Sequence, residues 1–213
     1  MLEPHLSYRQ GIAKQEEFAN SCGATSLLCA AMELGRTELW NGCPLDTSPG
    51  PAESFMYQST NGVPPEGNLH DEGYSSPTGL LETARRLGLD GYVHVVLPVT
   101  SSLIEMFGGG ILDDLYSMRV HIEDGPEAQI GPHQRRLRVV IFTAHETGPE
   151  PAARQLRYVM ERPDDSVMDP ATGRNYEHPG HMNQAMTTGR YSDTGVSVVI
   201  SDPHWKPPRQ SRG

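Results

Sequence analysis

The stretch "SCGATSLLCAAMELG", Ser21 to Gly35, constrains this chain more than any other. Leu27, Leu28, Ala30, Ala31, Met32 and Leu34 make it apolar nearly all round. A helix of that kind has no face to give to water and belongs at the centre of a fold. Gly35 stops it. Cys22 stands at its polar, glycine-marked entry, and Gln15 lies seven positions upstream (22 − 15). A helix N-terminus carries partial positive charge and unpaired N–H groups. A thiol placed there ionises more readily and becomes a better nucleophile. The N–H of Cys22 and an upstream amide such as that of Gln15 can together hold an oxyanion. Gly23 leaves room for a substrate to approach. The plain alternative is a small buried hydrophobe at Cys22, because free cysteine is among the most buried residue types, and a surface amide at Gln15. Cys29 has apolar neighbours on every side and reads as core. Cys43, beside Pro44, shows no companion.

Three cysteines in 213 residues do not make a disulfide framework. The length suits one domain, or two lobes around a shared cleft. A formal charge of −10 with no concentrated basic patch argues against nucleic acid as a partner. Arg135, Arg136 and Arg138 lead into a strand and read as a solvated strand entry. No apolar run approaches the roughly 18 residues of a membrane span, and no signal peptide is visible, so a soluble protein made in the cytoplasm is expected, without a membrane partner. No metal or cofactor is expected. His178 and His181 are three apart, but Pro179 and Gly180 between them oppose a helix. The glycine run "FGGGI" lacks the Lys-Ser/Thr of a phosphate loop.

The chain divides into a helical front and a β-rich back, an α+β arrangement rather than alternating βαβ. A helical lobe over about 1–115, a β lobe over about 116–205 and a short polar tail are expected to form a single domain. "SSPTGLLETARRLGLDG" predicts a helix capped by Ser76 or Thr78 and ended by Gly88. A strand, "YVHVVLPV", follows, and a short helix is expected from Ser101 to Phe107. Residues 43–76, rich in Pro, Gly, Ser and Asn, predict a long irregular connection. "RLRVVIFTA" and "GVSVVISDP" predict strands, and "QLRYVMER" with "SVMDP" a hairpin, with a helix over "PEPAARQLRYVMER" as the alternative, since Ala152, Leu156, Val159 and Met160 would share a face.

The segment from Gln15 through "CGATSLLCAAMELG", with "PTGLLETARRLGL" and "SVMDPATG" behind it, resembles papain-like cysteine peptidases, most closely their C39-like branch. The resemblance implies a papain-like α+β fold and a thiol hydrolase cleaving a peptide or isopeptide amide of a protein substrate. In it Cys22 is the nucleophile, Gln15 the oxyanion donor and Asp169 the residue that orients a histidine. Acyl transfer and deamidation use the same constellation. At the spacing usual in the family, the histidine position falls on Ala152 and Ala153, which have no ring. Three readings stay open. His145, in "FTAHETG" at the end of a strand, supplies the ring; an alanine replaces it; or the chain binds without catalysing. The expected triad is Cys22, His145 and Asp169. The resemblance also implies a bacterial effector or toxin peptidase delivered into another cell. Oligomeric state is not legible.

Overall fold

The computed structural model describes residues 18–45, 50–64, 67–71, 73–96, 99–145 and 153–205. Gln15 and Ala152 lie outside them. Helix α1 spans Cys22–Glu33, with residues 22 to 31 all buried, as its composition demands. Gly35 ends it at φ 84°, a conformation that costs glycine little. Helix α2, Pro51–Thr60, occupies part of the segment expected to be irregular. Its proline stands in the first turn, where the missing N–H is no loss. Ala52, Met56 and Tyr57 give it a buried face against α1. Helix α3, Pro77–Arg86, starts where the sequence placed it, with the Ser76 hydroxyl accepting from the Gly79 N–H at 3.1 Å. Helices α4 (Val99–Phe107) and α5 (Ile111–Ser117) flank the glycine run. Helix α6, Pro179–Ala185, corrects the view that Pro179 and Gly180 oppose a helix. Pro179 opens α6 and His178 caps it, its ring nitrogen accepting from the His181 N–H at 3.1 Å.

Among the described residues, seven strands form one mixed sheet in the order β2-β1-β7-β3-β4-β5-β6. They are β1 (Asp90–Val95), β2 (Ile122–Asp124), β3 (Gln134–Ala144), β4 (Arg154–Glu161), β5 (Val167–Asp169), β6 (Arg174–Tyr176) and β7 (Gly189–Ser201). Only the β1/β2 pair is parallel among these described strands. The α+β expectation therefore holds, and the alternative helix over Arg154–Glu161 gives way to β4. Burying Leu137 and Val139 on β3, and Tyr158 and Met160 on β4, against α1 sets the register of the central strands. Val140, Phe142, Val159, Val167, Tyr176, Met182 and Tyr191 form a second cluster on the other face, beneath α6.

Candidate active site

Helix α1 ends its approach at the outer edge of β4. Strand β5 pairs with β4 only at Met160 and Glu161, so the edge before them is not covered by β5. The Cys22 thiol fills that place, its Sγ accepting the Tyr158 backbone N–H at 3.3 Å. A buried backbone donor needs such a partner. Cys22 is 1% exposed and Tyr158 fully buried. Gly23 permits the approach: a Cβ there would lie 3.1 Å from both the Tyr158 ring and the Ser75 Cβ.

The loop before α3 closes a second wall. The Tyr158 hydroxyl donates to the Ser75 carbonyl at 3.0 Å, and the Thr60 and Ser75 hydroxyls share a bond of 2.7 Å. The Gly73 carbonyl accepts from the Tyr57 hydroxyl at 2.9 Å and the Asn61 amide at 3.0 Å. Tyr74 stands between these anchors. Burial pushes its phenol up, the Cys22 charge pushes it further, and Arg157 eases it back. Tyr74 therefore lies within the field of both the thiol and a guanidinium. It also lines a pocket of about 620 Å³ with Gln58, Asn61, Gly73, Ser76 and Arg86. His70, on the short turn Leu69–Asp71, sets its ring 5.7 Å from that of Phe18, which leads into α1.

Asp169 ends β5 and is 1% exposed. Its Oδ1 accepts from the Ala171 N–H at 2.9 Å and the Tyr191 hydroxyl at 3.2 Å, and its Oδ2 from the Thr172 hydroxyl at 3.3 Å. The Tyr191 hydroxyl in turn lies 3.2 Å from Arg157 Nη1. Arg157 also bonds Gln155 Oε1 at 2.8 Å and stacks 4.3 Å over the Phe142 ring. The carboxylate thus orients a phenol, where the sequence led us to expect an imidazole. Burial is the largest influence on Asp169 and raises its carboxyl above the ordinary range; its hydrogen bonds and Arg157 recover part of that cost.

His145 is exposed, and its N–H donates to the Thr188 carbonyl at 2.9 Å. Tyr158 pairs with Val139, six residues before His145 on β3 (145 − 139). At the rise of a strand this is about 20 Å from the neighbourhood of the thiol. The structure does not bring Cys22, His145 and Asp169 together. Ala153 is no better placed. It stands five residues before Tyr158 (158 − 153), about 16 Å along β4. The hairpin is short, and the charged side chain beside the thiol's contact is Arg157, twelve positions before Asp169 (169 − 157). The Tyr191 contribution carries no local sequence signal, since it is set only by β7 pairing with β3. Among the described residues no group of three or more His, Cys, Asp or Glu could hold a metal. None of the described helices is long and apolar enough to cross a membrane.

Asp169 also predicts a pH effect. A carboxyl raised in the folded state makes ionisation a cost to folding. That cost is absent well below about pH 3.9 and grows as pH rises from there through the raised value. Wild type should therefore lose melting temperature relative to Asp169→Asn across that interval. Thermal melts from about pH 3 to pH 7 test this, and a constant gap between the two proteins would count against it.

Comparison with known proteins agrees with the thiol chemistry. A cysteine protease, IpaJ of Shigella flexneri, is 31% identical over 212 residues, covering 90% of this chain and 78% of that protein. No solved structure matches. The family described as Invasion plasmid antigen J, cysteine protease, matches residues 14–203, nearly the whole length, and the chain belongs to this family of cysteine peptidases.

Proposed function

We propose that the chain hydrolyses a peptide or isopeptide amide in a protein substrate, with Cys22 as nucleophile on a papain-like arrangement of helix and strand. The observation that carries this is the buried Cys22 Sγ at the N-terminus of α1, held against β4 by the Tyr158 N–H. The thiolate adds to the substrate carbonyl carbon, and the carbonyl electron pair moves to oxygen. The Cys22 N–H and, from outside the described residues, the Gln15 amide receive that oxyanion. Collapse breaks the C–N bond as the nitrogen takes up, through solvent water, the proton that the thiol gave up; the amine leaves a thioester, and water hydrolyses it to the acid and the free thiol. Arg157, steadied by Tyr191, and the thiol both act on the Tyr74 phenol, and Asp169 fixes Tyr191. The amides and hydroxyls around Tyr74 suit an extended substrate backbone. The name of the family, an invasion plasmid antigen, supports delivery as an effector into a target cell.

Competitive alkylation tests the nucleophile. Burial first, and the charge of Glu33 next, push the Cys29 thiol far up, so Cys29 should be inert. Iodoacetamide should modify Cys22 at least about tenfold faster than Cys29, with loss of peptide hydrolysis tracking the Cys22 adduct. Activity that survives complete modification of Cys22 would sink the reading.

A further inference from the structure

Ser21 stands at the N-cap of α1, and serine is among the best residues for that position. Its side chain makes no capping bond to the first turn. The hydroxyl donates instead to Glu53 Oε1 at 2.7 Å, with the Phe18 carbonyl 3.0 Å away. Glu53 comes from α2, is fully buried, and also accepts from the Thr25 hydroxyl at 3.3 Å. A buried carboxylate is costly unless it is well bonded, so the clamp ties the two helices at the thiol's door.

The backbone follows the clamp. Ser21 has φ −76° and ψ 4°, whereas a capping serine takes extended dihedrals. The ψ of Ser21 turns the peptide plane it shares with Cys22. That plane carries the Cys22 N–H. An extended Ser21 would swing this N–H through more than about 90°.

We propose that Glu53 is a positioning residue of the thiol site. By holding the Ser21 hydroxyl on α2 it prevents Ser21 from capping α1. It thereby aims the Cys22 N–H at the forming oxyanion and leaves the field of the first turn to the thiolate. The inference rests on the reading of Cys22 as nucleophile. It makes Glu53 act through geometry, because its own negative charge opposes thiolate formation.

The test is steady-state peptide hydrolysis by the full chain carrying Glu53→Ala, Glu53→Gln, Ser21→Ala or Glu53→Ala with Ser21→Ala. Glu53→Ala frees the serine to cap, and kcat should fall by about 10- to 100-fold with KM little changed. Glu53→Gln keeps an acceptor for Ser21 and should stay within about threefold of wild type in kcat. Ser21→Ala has no hydroxyl with which to cap and should do the same. The double variant should recover to the level of Ser21→Ala, which a purely structural loss of Glu53 would not allow. A double variant as slow as Glu53→Ala, or a silent Glu53→Ala, overturns the proposal. Where Glu53→Ala loses its circular dichroism spectrum, Glu53→Met, which fills the volume without an acceptor, replaces it with the same expectations. Cys22→Ser run beside them separates the two readings. If it stays active, the nucleophile is misassigned; if it is dead while Ser21→Ala fails to rescue, only the role of Glu53 falls.

Discussion

Cys22→Ser is expected to lower peptide hydrolysis by about 10⁴-fold or more while the protein remains folded. The choice of serine follows from the geometry. The Tyr158 N–H is buried, and its acceptor is Cys22 Sγ. Serine keeps an acceptor on the same Cβ, although a hydroxyl at that site lacks the low pKa and polarisability of a thiol. Cys22→Ala removes the acceptor as well and should cost about 1–3 kcal/mol of stability on top of the lost activity. The two variants therefore separate chemistry from packing: similar loss of rate, different melting temperatures. Cys29→Ala is the control. Cys29 lies seven residues further on in α1 and is fully buried with a raised pKa, so its loss affects packing and leaves the chemistry in place. Measured kcat/KM within tenfold of wild type for folded Cys22→Ser would rule out the thiol mechanism.

What could be read in advance depended on how local the cause was. Helix α1 is apolar on every side, and α3 has Ser76, periodic leucines and Gly88, so both announce themselves within a few residues. Helix α2 did not. Its apolar positions sit among Ser, Gln and Thr, and Glu53, the residue that ties it to α1, looks like any surface acid until the fold buries it. Helix α6 is marked by Pro179 itself, since proline breaks a helix in its interior but favours a start at its first position. Strands β3 and β4 were legible from their β-branched and aromatic runs, but β6, three residues long, was not. At the site, Cys22 was marked by its helix. The partner of Asp169 was not marked, because counting residues assumes a hairpin of fixed length. Here the β4/β5 ladder is two pairs long, and Asp169 binds the Tyr191 hydroxyl, which Arg157 reaches from β4. Tyr191 reaches Asp169 from a strand 22 residues away (191 − 169), a pairing that only the assembled sheet creates.

Glu33→Ala is expected to destabilise the fold more than any surface change, by about 3–5 kcal/mol, because it leaves two buried cations without their carboxylate. Glu33 ends α1 with its side chain 2% exposed. One carboxylate oxygen takes Arg135 Nε at 2.6 Å, and the other takes Arg162 Nη2 at 2.7 Å. Arg135 comes from β3, where it and Arg136 are buried and not the solvated strand entry expected, and Arg162 comes from the turn after β4, so a single acid fastens the C-terminal end of α1 to the sheet. A negative charge at a helix C-terminus is itself unfavourable, and the two guanidinium groups offset it. For a chain of this size the loss corresponds to a fall of about 10 °C in melting temperature. Removing the cations together with the acid should restore most of it, since a buried ion triad replaced by apolar side chains of similar volume is often neutral. The triple variant Glu33→Leu, Arg135→Met, Arg162→Met tests that. Cys29 gives an independent reading: with the charge of Glu33 gone and both arginines kept, its thiol should titrate lower and alkylate faster than in wild type. A Glu33→Ala protein that melts within about 2 °C of wild type would mean that solvent reaches both guanidinium groups and that this cluster does not hold α1 to the sheet.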